Sequence, residues 1–466
     1  MSTLIMKFGG TSVGMTMGLT QLLSIVLYER ERWERLMLVV SALDGVTDQL
    51  IEAAHLAILN NRRGYRRIVA TLRTRHLALI DHLPLGITER NALQADIDHL
   101  LFDMLDVCQN MPDHLSETEQ PEAIDRVIGT GERLAARIVA ALLRQNNLRG
   151  VAIDASDVIV TDSVFGNATP DLPRTRERIA TNLLPLLNRG IIPVITGFIG
   201  ATETGKPTTL GRGGSDYTAS IVGVCSDANE VWVWADVDGM MTADPREIPE
   251  AQVIPTLSYD EVAEMAYFGA RILHSRMILP LRDRNIPLRV RNVFKPQQPG
   301  TLVQATTAPG GCKAVTMIQG LGLEAPYSGS LAGVAALVDD RLARITGSHT
   351  DVMIASQSSS QSFICFVIPT NAGPDALHSL QNALATPLGR IDEGSWTMRP
   401  VSVISVIGSR ISEDHRLTGQ ILAALDGVRV LALAQGPSHA NFSVVVEPDD
   451  TDDAVIGIHS LIVNSA

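Results

Sequence analysis

Residues Thr3–Gly14 read TLIMKFGGTSVG. The apolar run Thr3–Phe8 has the length and texture of a buried strand, and it stops at Gly9-Gly10. Thr11 and Ser12 offer hydroxyls to cap a following helix, whose apolar face is Leu19, Leu22, Leu23, Val26 and Leu27 at helical spacing. Leu36–Val40 is a second strand, apolar throughout, as a parallel strand covered on both faces requires. Ile191–Ile199 and Val231–Ala235 read as further buried strands, and Leu134–Leu143 and Ser258–Phe268 as helices. Strand alternating with helix in this way predicts a parallel α/β domain.

Outward from this core the texture changes twice. From Gln49 to about Glu122 the chain is helical in pattern and rich in Arg, His and Leu, with breaks at Pro84-Leu85-Gly86 and Met111-Pro112. This stretch reads as a helical insertion. Gln297-Gln298-Pro299-Gly300 and Thr306–Gly311 carry the turn chemistry of a domain boundary. Beyond it, 313–390 and 398–466 share one order: apolar strand, Gly-containing turn, helix, paired strands. The expected division is 1–305, 313–390 and 398–466. The acidic stretch Glu447–Asp453 reads as a solvated turn.

Composition narrows the function classes. The chain has 466 residues, long enough to bury a core without disulfide or metal staples. A net charge of −13 argues against a nucleic-acid partner and against an anionic membrane surface. It leaves room for a phosphate ligand, which needs only a local cluster. Of the 38 basic residues only Lys7, Lys206, Lys295 and Lys313 are lysine, so a lysine beside a glycine loop is informative. Four dispersed cysteines form no CxxC pair, which predicts neither a disulfide framework nor a zinc site. No secretory leader or apolar run of membrane-spanning length is read, and a cytoplasmic setting is expected.

Four motifs carry candidate chemistry. In Lys7–Gly14, a strand-end lysine, two glycines and a helix start form an anion-binding nest, without the Walker A spacing. Thr208–Asp216 (TTLGRGGSD) adds the planar fork of Arg212, free backbone donors at Gly213-Gly214 and the carboxylate of Asp216. Gly129–Arg133 (GTGER) opens a helix; taken alone, Glu132 reads first as a helix-start carboxylate favoured by the macrodipole. Trp234–Gly239 followed by Ala243–Arg246 (ADPR) is a strand running into an acidic loop. Ser41, Ala42 and Thr47 follow the second strand, at the end where open α/β sheets bind ligands. His274 in RILHS reads as a packed or capping residue rather than a base.

In their order and spacing, KFGGTSVG, TLGRGGSD, DVDG, ADPR and FGARILH resemble the aspartokinases of the amino-acid kinase fold. Val39–Ala42, Gly131-Glu132 and Phe165–Ala168 join the match, which covers essentially the whole chain. The tail resembles that family's paired ACT domains, α+β units of ferredoxin-like topology. Its wording is nearest to the bifunctional aspartokinase–homoserine dehydrogenases, with the kinase part expected alone in a chain ending at Ala466.

The resemblance implies ATP-dependent phosphorylation of the L-aspartate β-carboxylate, with Mg²⁺, under feedback control. By that resemblance Lys7 neutralises charge on the transferring phosphoryl group, with Gly9 and Gly10 cradling it. Asp216 organises the centre; Gly213, Gly214 and Ser215 belong to the phosphate-binding loop. Arg212 binds the substrate α-carboxylate and Glu132 its ammonium. Ser41, Thr47 and Thr209 line the substrate and phosphate path. Asp236 and the loop to Arg246 hold the nucleotide. The sequence departs from the family at Ala235, Met241 and Arg271, where Thr, Tyr and often Lys are usual, all on the nucleotide side. Gln357 and Gln435 stand where threonine-sensitive relatives carry Gln, implying threonine ahead of lysine as effector, and a homodimer or larger oligomer joined through the ACT segments. A second reading keeps the fold as an amino-acid-sensing regulatory protein of weak or no catalysis; intact Lys7, Glu132, Arg212 and Asp216 favour the enzyme.

Overall fold

The computed structural model describes residues 2–112, 115–116, 118–270, 273–306, 311–325, 331–346, 352–357, 362–367, 379–380, 382–384, 397–436 and 438–465. The chain divides into two compact units. The first comprises Met1–Met240, Val253–Tyr259 and Leu273–Thr306; the second comprises Met241–Gln252, Asp260–Ile272 and Thr307–Ala466.

In the first unit, β1 (Thr3–Phe8) is buried at every residue and lies between β2 (Arg35–Val40) and β8 (Glu230–Ala235). Outside β2 come β5 (Ile192–Thr196) and β3 (Gly150–Ile153). Outside β8 come β10 (Leu288–Asn292), β11 (Thr301–Gln304) and β9 (Thr256–Ser258). Every neighbouring pair in this eight-stranded sheet is parallel except β10 with β11. Strand order therefore turns back at β1, and the crevice beyond its carboxyl end is where such sheets take ligands.

A second, three-stranded sheet holds β4 (Val160–Thr161), β6 (Ile199–Thr202) and β7 (Pro207–Thr209). Here the single strand expected over Ile191–Ile199 is corrected. β5 ends at Thr196, Phe198 takes a left-handed φ of 69°, and β6 starts in the other sheet. Gly197 sits at the break, where a Cβ would come within 2.6 Å of Ser215 and 2.9 Å of the Val40 carbonyl.

Helices α1 (Gly10–Val13) and α2 (Thr16–Arg30) follow β1. Thr11 and Ser12 do not cap; they lie inside α1, and Gly9 occupies its N-cap without a side-chain bond. The expected insertion is helical: α3 (Val46–Ile58), α4 (Arg62–Asp81), α5 (Ile87–Gln109) and α6 (Gln120–Ile128). Then come α7 (Thr130–Gln145), α8 (Leu172–Asn182), α9 (Leu184–Asn188), α10 (Gly214–Cys225) and α12 (Ser275–Asp283), while α11 (Tyr259–Tyr267) belongs, all but Tyr259, to the second unit. Helix α7 is buried along most of its length, which suits its Ala- and Leu-rich sequence.

The second unit is built on a six-stranded antiparallel sheet in the order β13-β14-β12-β15-β17-β16. Its strands are β12 (Cys312–Ala325), β13 (Val352–Gln357), β14 (Ser362–Val367), β15 (Thr397–Gly408), β16 (Val430–Gln435) and β17 (Asn441–Val446). The strand–helix–hairpin order appears twice, with α13 (Leu331–Thr346) and α14 (His415–Ala423), and α15 (Thr451–Ser465) closes the chain. The long strands β12 and β15 run together from Cys312 to Glu324, and each also pairs with a hairpin strand. One core forms where Leu321 and Leu323 meet Val334, Val338 and Leu342 of α13. Another forms where Ile404 and Val406 meet Ile421 of α14 and Ile458 of α15. Among the described residues, no helix is long and apolar enough to cross a membrane.

Candidate active site

Lys7 is the penultimate residue of β1 and is almost fully buried. Its Nζ lies 2.7 Å from a carboxylate oxygen of Asp216, in the first turn of α10. The two glycine motifs, some 200 residues apart, thus meet through one ion pair. Gly9 lies beside this ammonium, and its N–H reaches the Trp234 carbonyl at the end of β8. Gly10 packs against the loop after β2, where a Cβ would stand 2.8 Å from the Ala42 carbonyl. The Ser41 N–H donates to the Phe8 carbonyl at 3.1 Å, and Thr47 lies in the first turn of α3.

Glu132 sits beneath this loop, fully buried in the first turn of α7. Its Oε1 accepts the Ala42 N–H at 3.1 Å, while its buried Oε2 has no hydrogen-bond partner. Burial pushes its pKa up to about 8 against the opposing Ala42 hydrogen bond. The helix-start reading is therefore incomplete: a surface cap does not leave a carboxylate oxygen buried and unmatched. An orphaned acidic oxygen beside a glycine-lined loop suits a cationic ligand group.

The Thr208–Asp216 loop is held by two residues that the sequence reading did not single out. Asp125 of α6 is buried and accepts from Gly166 N (2.8 Å), Thr209 N (2.9 Å) and Thr209 Oγ1 (2.7 Å). Burial raises its pKa, opposed by those bonds. Arg276 donates to the carbonyls of Leu210 (2.8 Å) and Ala168 (3.2 Å) and lies over the Tyr217 ring. The loop itself is chiral-specific. Gly213 has φ 68°, and a Cβ there would come within 2.4 Å of His274 Cβ. His274 accepts the Arg276 N–H, so it caps α12, and burial together with the charges of Arg276 and Arg212 lowers its pKa. Arg212 is exposed, Gly214 begins α10, and Ser215 is half-buried beside Gly197.

The residues expected on the nucleotide side are divided. Ala235 ends β8 and Asp236 follows it, at the same sheet end as Gly9; Ala235 is half-buried and Asp236 exposed. Asp238 is held by Lys295 Nζ at 2.7 Å and by Asn292, and the Lys295 bond lowers its pKa. Met241 and Arg246 belong to the second unit, where Arg246 is paired with Asp244. Arg271 lies outside the described residues, as does the side chain of Gln357. Gln435 ends β16 and is exposed.

Taken together, the sheet end offers a lysine–aspartate pair, two helix N-termini and a buried acceptor. Residues 2–292 match the model of the amino acid kinase family, and 404–461 match an ACT domain model. The chain belongs to the amino acid kinase family. It is 30% identical over 472 residues to a bifunctional aspartokinase/homoserine dehydrogenase 2 of Arabidopsis thaliana, covering 97% of this chain and 50% of that protein. It thus spans about half the length of such bifunctional relatives. It is 29% identical over 462 residues to the lysine-sensitive aspartokinase 3 of Escherichia coli, covering 98% of both. The crystal structure of E. coli aspartokinase III with aspartate and ADP superposes with a TM-score of 0.79 at 27% identity, covering 99% of this chain and 100% of that one. The fold is that of an amino-acid kinase followed by an ACT region.

Proposed function

We propose that this chain phosphorylates the β-carboxylate of L-aspartate from ATP, the first committed step toward the aspartate-derived amino acids. The observation that carries it is the Lys7–Asp216 pair at the carboxyl end of β1, flanked by both glycine loops. A carboxylate nucleophile is already ionised and needs no general base, so positioning and charge neutralisation suffice. Lys7, fixed by Asp216, meets the charge developing on the transferred group. Gly9 and Gly10 cradle that group, and Gly213, Gly214 and Ser215 form the loop that receives the phosphates. Arg212 takes the aspartate α-carboxylate, and the unmatched Glu132 Oε2 takes its ammonium. Ser41, Thr47 and Thr209 line the path between them. Two glycine-lined helix starts that share Lys7 suit a nucleotide phosphate chain; Mg²⁺, when bound, would further neutralise its charge.

The same reading assigns the nucleotide to Ala235, Asp236, Met241, Arg246 and Arg271. It divides the chain into a kinase domain over 1–305 and ACT domains over 313–390 and 398–466. Threonine, ahead of lysine, acts through Gln357 and Gln435, in a cytoplasmic homodimer or larger oligomer joined through the ACT segments. The E. coli neighbours, one solved with aspartate and ADP and another with lysine and aspartate, support an amino-acid substrate and effector control. A coupled assay of ADP release with L-aspartate tests the reading. Aspartate-dependent release is expected; its absence, with threonine still bound, leaves the regulatory reading.

A further inference from the structure

A cavity of about 250 Å³ opens in the first unit and includes none of the residues assigned to phosphoryl transfer. One wall is an apolar stripe of α5 made by Leu100, Met104 and Val107. The opposite wall is α7, from Thr130 through Arg133 to Arg137, and the floor is the carboxyl ends of β3 and β5. Arg126 of α6 adds a third guanidinium. Arg133 is committed to Asp154 at 2.5 Å. Arg126 and Arg137 are exposed and have no ion pair among the described residues. Among the described residues, the acids at this cavity are Asp154, already paired, and Asp103, which reaches His99 at 3.5 Å. Three guanidiniums against two carboxylates leave a positive excess in a protein whose net charge is −13.

We infer that this cavity binds a small organic anion, an oxyanion head group on an apolar body. Arg126 and Arg137 take the head group, and the α5 stripe takes the body. Guanidinium forks match carboxylate and phosphate oxygens alike. The volume lies just under the usual range for drug-sized ligands, which suits a metabolite of a few carbons. The site is separate from the catalytic one because Arg133 and Arg137 point from a different face of α7 than Glu132, whose oxygen bonds the loop after β2.

The test is isothermal titration of the full chain at fixed ionic strength with butyl phosphate, hexanoate and inorganic phosphate. Saturable binding of butyl phosphate or hexanoate is expected, about tenfold tighter than inorganic phosphate because the apolar body adds contact. Whichever organic anion binds identifies the head group. Arg126→Gln/Arg137→Gln is expected to weaken binding about tenfold or more. Leu100→Glu, at a half-buried position on the wall, gives the same loss by repulsion. Arg62→Gln/Arg66→Gln, at exposed positions of α4, removes equal charge elsewhere and leaves binding unchanged. The catalytic loops also attract phosphate, so each titration is repeated in Lys7→Ala. Binding that vanishes with Lys7 but survives loss of Arg126 and Arg137 overturns the inference. So does the absence of saturable binding by either organic anion, or an equal loss in the α4 control.

Discussion

Under the proposed function Glu132 couples proton and ligand. Its burial holds the carboxyl protonated at neutral pH, with a pKa of about 8 against 4.5 when solvated. A folded pKa above the unfolded one contributes stability fully below the unfolded value, and that stability is lost as pH rises through about 8. Glu132→Gln, neutral at every pH, is therefore expected to flatten the fall in thermal stability between pH 4.5 and 8 and to raise the melting temperature near pH 8. If Oε2 receives the aspartate ammonium, binding at pH 7 expels this proton; calorimetry in buffers of different ionisation enthalpy reads it directly. Proton release equal in wild type and Glu132→Gln would contradict the assignment. At the Lys7–Asp216 pair proposed as the catalytic centre, Lys7→Ala and Asp216→Ala are each expected to raise the barrier to turnover by about 3–4 kcal/mol or more while the fold is kept. Near-normal turnover in either variant would remove this pair from the centre. These residues were legible because lysine is scarce and each stands beside glycines. Asp125 and Arg276 were not legible, because they act through hydrogen bonds to partners 84 and 66 residues away.

Elements show the same division between what periodicity carries and what chirality decides. The buried strands and the helical insertion follow from apolar runs and spacing. The break between β5 and β6 does not, because apolar residues continue through it. A left-handed Phe198 and a glycine too close to Ser215 end the strand, and neither leaves a hydropathy signal. The loop entering α10 depends on similar detail. Gly213→Ala is expected to destabilise the protein, since a side chain at φ 68° must also displace His274, and to reduce turnover by moving Asp216. Denaturant melts and kcat together check it; unchanged kcat in a folded variant would detach loop conformation from catalysis. Asp125→Ala leaves the donors of Gly166 and Thr209 unmatched in a buried setting. A loss of about 1–3 kcal/mol in unfolding free energy is expected, with a raised KM for aspartate. A stability loss without any change in that KM would confine Asp125 to a structural role.

At the scale of the whole molecule, the sequence suggested two consecutive regulatory repeats, whereas their central strands β12 and β15 lie side by side in one sheet. Pairing between residues 73 to 96 positions apart leaves no local pattern, so this arrangement was beyond reach. The placement of the loop after β8 was equally hidden. The chain leaves the first unit at Met240, and Met241–Gln252 belongs to the unit that holds the six-stranded sheet. Thr242 fixes it there: its carbonyl accepts the Val315 N–H at 2.8 Å, and its hydroxyl meets His459 Nε2 of α15 at 2.9 Å. Burial keeps the His459 pKa below its usual value. Under the proposed function Met241 and Arg246 contact the nucleotide, so a displacement of β12 or α15 is carried through Thr242 into these residues of the same unit. Effector binding is then expected to appear chiefly in the KM for ATP rather than in that for aspartate, whose assigned residues all lie in the first unit. His459→Ala removes the link to α15 while leaving the Thr242 hydroxyl its bond with the Gln252 N–H. This variant is expected to keep its uninhibited kcat and to shrink the effector-induced change in ATP KM by about threefold. Initial rates over an ATP series, with and without threonine and then lysine, supply the measurement. An effector shift confined to aspartate KM, or one of equal size in His459→Ala, would show that control does not pass through this loop.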